Sequence, residues 1–263
     1  MPDADLEQYL EFAYRIAQRA GEVILPHFRE AIAVEDKRNF MGYDPVTVAD
    51  RAAEEVIRDA IRAAYPDHGI HGEEHGRQDG TSPYTWVIDP IDGTKSFITG
   101  MPLFGTLIAF VEDGVPRLGI IEMPALCERW SASRGVTAFG GNPCRVSGCL
   151  AIEDARIYTA SPDIFSPADW EAYDRLSRRA AIRRFGGDCY QYGLLASGHC
   201  DLVVEASLMP YDFMALVPVV EGAGGRITDW EGRPLGLHSD GRVVASASAA
   251  LHDRALRELA GTA

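Results

Sequence analysis

Residues 86–97 read WVIDPIDGTKSF. An apolar strand signal, Trp86 to Ile88, runs straight into Asp89 and Asp92, with Pro90 between them and Gly93 and Thr94 just behind. Pro and Gly end strands for steric reasons, and a single Asp is enough to open a turn. The second carboxylate therefore asks for another explanation. Two carboxylates about 5 Å apart, at an effective dielectric near 20, repel by roughly 3 kcal/mol, so the pair calls for a cation. Lys95 is the only basic residue close by in sequence. An all-oxygen donor set suits a hard divalent ion, Mg²⁺ or Mn²⁺, and Glu73 and Glu74, just ahead of the strand, are the next donors along the chain.

The rest of the chain sets bounds on this reading. Its 263 residues are 46% hydrophobic, enough to bury a large core in one big domain or in two packed halves. Asp and Glu outnumber Lys and Arg by 39 to 25, for a formal net charge of −14. Such a surface repels nucleic acid and anionic lipid, so neither is expected as a partner, and it repels a phosphorylated metabolite too unless cations intervene. No apolar run approaches the roughly 20 residues of a membrane span, and MPDADLEQYLEFAYRIAQRAG is acidic where a signal peptide is basic. A cytoplasmic location is the expectation. Cys127, Cys144, Cys149, Cys189 and Cys200 are odd in number and irregularly spaced, as reduced thiols are.

Leu6, Leu10, Ala13, Ala17, Ala20 and Ile24 recur at helical spacing and predict a helix closing near Pro26, and a second helix is predicted from Thr47 to Ala64 with Pro66 as its stop. The segment 67–83, rich in Gly, His and acids, reads as a loop leading into the strand YTWVID. From Leu107 to Arg145, TLIAFVED, RLGIIEM, ERWSASR and VTAFGG read as an antiparallel meander. Ser166, Pro167 and Asp169 mark the start of a helix to about Arg184. A further helix, about Cys189 to Ser197, precedes the strand DLVVEA, and residues 211–225 predict a last major helix bent by Pro218. Helices alternate with strands in this half.

Taken in order, VTVAD at Val46–Asp50, GEE at Gly72–Glu74, DPIDGT at Asp89–Thr94, and Tyr211-Asp212 opening a helix that ends in EGAGG resemble the inositol monophosphatase family of metal-dependent phosphatases. The likeness spans nearly the whole chain. It implies an α+β, layered αβαβα fold with two β-sheets sandwiched by helices, and a homodimer. Residues 1–145 would form a half carrying most metal ligands, and residues 146–263 a half carrying the last ligand and the substrate contacts. The resemblance implies two or three Mg²⁺ ions, with Mn²⁺ as a possible substitute, held by Glu73, Asp89, Asp92, Asp212 and the Ile91 carbonyl. It implies that Asp50 and Thr94, with Glu73, activate the attacking water, that backbone N–H groups of Gly93 and Thr94 hold the phosphate, and that Glu74 and Lys37 stand behind the ligands.

Each of these residues also has a plainer reading. Asp50 completes a capping box with Thr47, Glu73 and Glu74 suit a solvated loop, Asp212 suits a helix N-cap, and Lys37 a surface lysine. His68, His71 and His75 raise the rival of a zinc site, although HGEEH is not the HExxH of zincins. A phosphatase with an Asp nucleophile wants Asp-x-Asp, where this chain has Asp-x-x-Asp.

The runs DGTKSFITGMPLFGTLIAF and MPYDFMALVPVVEGAGG look most like the histidinol-phosphate phosphatase branch, which implies a role in histidine biosynthesis. Glu205 and Asp188 fall where the family places substrate contacts, and two carboxylates suit a cationic alcohol. For Glu205 the plainer reading is a surface acid at a strand edge. Inositol phosphate or another small phosphomonoester is the alternative substrate, and a catalytically silent metal-binding regulator is the alternative from another class.

Overall fold

Helix α1 (Asp3–Ile24) buries one stripe, Phe12, Ala13, Ile16, Ala17, Ala20 and Ile24, at the predicted spacing. The computed structural model describes residues 3–37 and 45–261 of the chain. A short ribbon, β1 (Val34–Asp36) with β2 (Pro45–Thr47), leads to α2 (Val48–Ala64). Next come β3 (Gly69–Gly72), β4 (Gly76–Gln78), β5 (Tyr84–Asp92) and the one-turn α3 (Thr94–Ile98). The meander follows as β6 (Gly105–Glu112), β7 (Val115–Met123), β8 (Glu128–Ser133), β9 (Val136–Phe139) and β10 (Asn142–Pro143). Strands β3 to β10 form one sheet in the order β10-β9-β8-β7-β6-β5-β3-β4.

Beyond it lie β11 (Arg156–Thr159), α4 (Pro167–Ser177), β12 (Ile182–Phe185), α5 (Asp188–Ala196), β13 (Leu202–Glu205), α6 (Pro210–Phe213), α7 (Leu216–Gly222), β14 (Arg226–Thr228), β15 (Val243–Ser246) and α8 (Ala249–Leu259). These strands make a second sheet in the order β12-β11-β13-β15-β14.

Strand periodicity sorts the layers. Trp86 and Ile88 of β5 pack against α1 and α2, whereas Val87 between them faces α5 and α7 in a second core. That second core also takes Val203 and Ala245 of the five-stranded sheet, and the sheet's other face, with Ile157, Leu202, Val204 and Val244, packs on α4 and α8. The order is helices, large sheet, helices, small sheet, helices, which is the expected αβαβα sandwich. Gly119 lets α7 approach the large sheet, because a Cβ there would stand 2.0 Å from the Ala215 carbonyl.

Four sequence expectations need correction. The helix predicted to Arg184 ends at Ser177, where its apolar stripe (Ala172, Tyr173, Leu176) runs out, and Ile182–Phe185 instead join β11 as a parallel edge strand. The segment read as a loop contains β3 and β4, and β3 pairs parallel with β5. The single helix expected over 211–225 is two short ones, α6 and α7, and Pro218 lies in the first turn of α7, where a missing N–H costs little. Nor is it the last major helix: α8 follows, capped by Ser248 and burying Leu251, Ala255 and Leu259.

Candidate active site

Asp89 and Asp92 are three residues apart, so in a regular strand they would point to opposite faces. The pairing of β5 with β6 shifts register between them, from Asp89 opposite Leu107 to Asp92 opposite Gly105. This bulge turns both carboxylates toward one point. The Ile91 N–H donates to Asp89 Oδ1 at 3.0 Å, and the Thr106 hydroxyl holds the Pro90 carbonyl at 2.8 Å. Gly93 then turns the chain with φ +83° into α3.

Asp212 arrives from α6, and one oxygen of each of Asp89, Asp92 and Asp212 lies within 4.8 Å of the others. Asp212 is the third residue of α6 rather than its N-cap, and its Oδ2 accepts the Met209 N–H at 2.7 Å. Asp92 Oδ2 accepts the N–H of Cys189, in the first turn of α5, at 2.5 Å. Thus the trio is assembled from both halves of the chain, and each carboxylate has one oxygen held by a backbone donor.

Burial, and after it the neighbouring carboxylates, hold Asp89 and Asp92 well above the usual carboxylate range and push Asp212 up to about 8. Glu73 rises to about 7, chiefly through burial, although Lys37 pulls it down. Lys37 Nζ lies 2.9 Å from Glu73 Oε1 and 2.7 Å from Glu74 Oε1, so it is tied to these two glutamates rather than a free surface lysine. Among the described residues no ion pair with a basic side chain reaches the trio itself. A buried, mutually repelling, all-oxygen set fits a hard divalent cation, so the donor chemistry agrees with a metal centre.

Asp50 has two attachments. Its Oδ2 accepts from the Thr47 N–H (2.8 Å) and hydroxyl (2.5 Å), closing the capping box of α2, while Oδ1 faces the Thr94 hydroxyl at 3.5 Å. Thr94 also donates to the Ile91 carbonyl at 3.0 Å. The cap and the site share one carboxylate.

Two residues of this region were missed in the sequence. Glu54 and Arg58 follow Asp50 at successive four-residue steps, and all three are buried on one face of α2. Glu54 accepts the Glu74 N–H at 2.6 Å and the His75 N–H at 3.1 Å, and Arg58 donates to the carbonyls of His75 and Gly76. This pair fixes the turn that carries Glu73 and Glu74. It also explains Gly72, where any Cβ would collide with the Glu54 carboxylate at 2.1 Å.

Toward the C-terminal half, Asp188 Oδ2 accepts the Ser96 hydroxyl at 2.8 Å. Glu205 is not a surface acid: it is 3% exposed at the end of β13, with Oε1 on the Ala160 N–H (3.1 Å) and Oε2 on the Tyr192 hydroxyl (2.6 Å). Burial raises it to about 7. The histidines do not converge. His68 Nδ1 accepts from the Trp86 indole at 3.1 Å within an aromatic cluster, and His71 meets the ring of Tyr211 edge-on.

The profile of the inositol monophosphatase family matches residues 5–262. The chain belongs to this family. It is 42% identical to the bifunctional phosphatase IMPL2, chloroplastic, of Arabidopsis thaliana over 98% of this chain and 77% of the relative. It is 40% identical to the histidinol-phosphatase of Chlorobaculum parvum, over 90% and 92% of the two chains. Among solved structures, an inositol monophosphatase from Zymomonas mobilis superimposes with a TM-score of 0.88 at 42% identity, over 97% and 98% of the chains. As an inositol monophosphatase family member the chain is a phosphatase, a hydrolase that takes a small phosphorylated substrate. No helix among the described residues is long and apolar enough to cross a membrane.

Proposed function

We propose that this phosphatase is Mg²⁺-dependent, acts in the cytoplasm as a homodimer, and hydrolyses histidinol phosphate in histidine biosynthesis. The observation that carries the substrate assignment is a pair of carboxylates, Asp188 and Glu205, set in the C-terminal half outside the buried trio. A leaving alcohol with an amine and an imidazole finds opposite charge there, whereas a polyol offers only neutral hydroxyl donors. The likeness to the Chlorobaculum enzyme supports the same substrate. The likeness to the Zymomonas structure favours an inositol phosphate as the second reading.

In this proposal Glu73, Asp89, Asp92, Asp212 and the Ile91 carbonyl are the metal ligands, with Glu74 and Lys37 supporting them. Residues 1–145 then contribute most of the ligands, and residues 146–263 Asp212 and the substrate contacts. Two or three divalent ions bound there would lower the pKa of water and stabilise both oxygens of an in-line displacement. The chain's own residues do the remaining work. Thr94 accepts a hydrogen bond from the attacking water, and its single hydroxyl proton, which has the Ile91 carbonyl at 3.0 Å and Asp50 Oδ1 at 3.5 Å within reach, turns to Asp50 for this step, with Glu73 as the second acceptor. Backbone N–H groups of Gly93 and Thr94 orient the phosphate at the start of α3. Asp188 takes the cationic group of the alcohol, and Glu205, whose oxygens already hold two donors, adds negative potential behind it.

The test is phosphate release by the purified protein with Mg²⁺ over a panel of phosphomonoesters. We expect kcat/KM for histidinol phosphate to exceed that for inositol 1-phosphate and glycerol phosphate by at least about tenfold, as one charge-assisted hydrogen bond allows. A preference for the polyol esters would transfer the assignment to the second reading.

A further inference from the structure

The start of α3 and the start of α5 meet at a single carboxylate, that of Asp188. Three features fix its orientation. Ser96, itself buried, donates its hydroxyl to Oδ2 at 2.8 Å. The same Oδ2 would stand 2.9 Å from a Cβ at Gly93, so the carboxylate lies against the glycine turn. The Asp188 backbone sits at φ +43°, in the left-handed region that Asp tolerates better than most side chains, and this sets the direction in which the side chain leaves the helix.

Oδ2 is therefore committed, while among the described residues no donor is seen on Oδ1. Lys95 offsets part of this charge through space, yet a negative oxygen beside a turn assigned to phosphate binding opposes an anion, and a cationic group on the alcohol relieves that opposition. A neutral polyol does not.

We infer that Ser96 is a positioning residue for substrate selection: by holding Asp188 Oδ2 it leaves Oδ1 to meet a cation carried by the leaving alcohol, and so favours aminoalkyl phosphates over polyol phosphates. The inference rests on the proposed function above. Ser96 touches neither the trio nor the water-activating pair through any hydrogen bond among the described residues, so its effect runs through Asp188. A hydrogen bond to a charged group is worth enough to shift a rate constant by about tenfold.

The experiment compares kcat/KM for histidinol phosphate and glycerol phosphate on one preparation of each variant with Mg²⁺ present. For Ser96→Ala the ratio of the two values falls about three- to tenfold, mainly through KM for histidinol phosphate. Ser96→Cys, which keeps the volume but donates weakly, shows the same fall, and Ser96→Thr, which keeps the hydroxyl, restores the ratio to within about twofold. In an Asp188→Asn background the ratio is already low and Ser96→Ala lowers it no further. Equal losses on both esters, or losses that add in the double variant, would overturn the inference by making Ser96 a structural residue. If the unsubstituted protein itself prefers glycerol phosphate, the substrate proposal fails instead, and the two failures are told apart within one data set.

Discussion

The two sheets bury polar side chains in opposite ways. Around the five-stranded sheet, Asp201, Asp229 and His252 are each buried with their polar atoms matched. Asp201 accepts from the backbone and guanidinium of Arg156 and from Ser147, and those bonds outweigh its burial and hold it below the usual carboxylate range. His252 has both ring nitrogens paired, with Thr228 at 2.8 Å and Ser246 at 2.9 Å. At the end of β5, by contrast, three carboxylates face one another with no basic side chain among the described residues to balance them. Matched burial fixes a fold, and unmatched like charge stores repulsion that a bound cation or a proton removes. The chain spends this repulsion at its site.

Neutralising one member of the trio tests this contrast most directly. Asp89→Asn should lower activity by at least about a hundredfold, because it removes a donor from the proposed metal site. In EDTA-treated protein the same change should raise stability by about 2 kcal/mol, since it relieves repulsion that the metal-free protein bears. Adding Mg²⁺ should raise the melting temperature of the unsubstituted protein and scarcely affect the variant. A variant as active as the parent at limiting Mg²⁺, or a metal-free variant that melts lower, would reduce Asp89 to a turn former.

Glu54 tests the boundary between the two regimes, because it is a matched charge placed directly behind unmatched ones. Removing one partner of a buried ion pair strands the other, so Glu54→Ala should cost about 3 kcal/mol in urea unfolding and free the turn that carries Glu73 and Glu74. Half-maximal activity should then need more Mg²⁺. Lost stability with an unchanged Mg²⁺ requirement would show that the clamp serves only the fold.

Legibility in the sequence followed the same division. Short-range order was readable where one local pattern decides it: the α1 stripe, the Thr47–Asp50 capping box, the meander from β6 to β9. The edge strand β12 was not, since Ile182–Phe185 are strand only by pairing with β11, a contact 26 residues away. Within the site, Asp89, Asp92 and Asp212 stood out by motif, and the structure brings them together. Glu54 was hidden because EE at Glu54–Glu55 on an amphipathic helix reads as solvated surface, although its four-residue step from Asp50 put it on the inner face. Ser96 carried no signal at all. Its role depends on where α5 begins, and that is settled by the packing of the two halves.

Changing pH separates matched from unmatched burial by a smaller amount. Burial holds His252 down at about 4, against an ordinary value of about 6.5, so the folded protein keeps it neutral where the unfolded chain takes up a proton. Its contribution is present above the unfolded value and is lost as pH falls from about 6.5 toward 4. The buried carboxylates of the site have the opposite sign. Glu73, at about 7, and Asp212, at about 8, bind protons more readily folded than unfolded, so in metal-free protein their contribution is present at low pH and is lost as pH rises through those values. One protein thus holds two opposing titrations, and a single pH profile would confuse them. Comparing the metal-free parent with His252→Asn cancels the site, because its carboxylates titrate alike in both. Between pH 7 and pH 5 the parent should lose about 2 kcal/mol more unfolding free energy than the variant. Parallel profiles would mean that His252 is protonated without cost, and the matched interior of the small sheet would be less closed than its hydrogen bonds require.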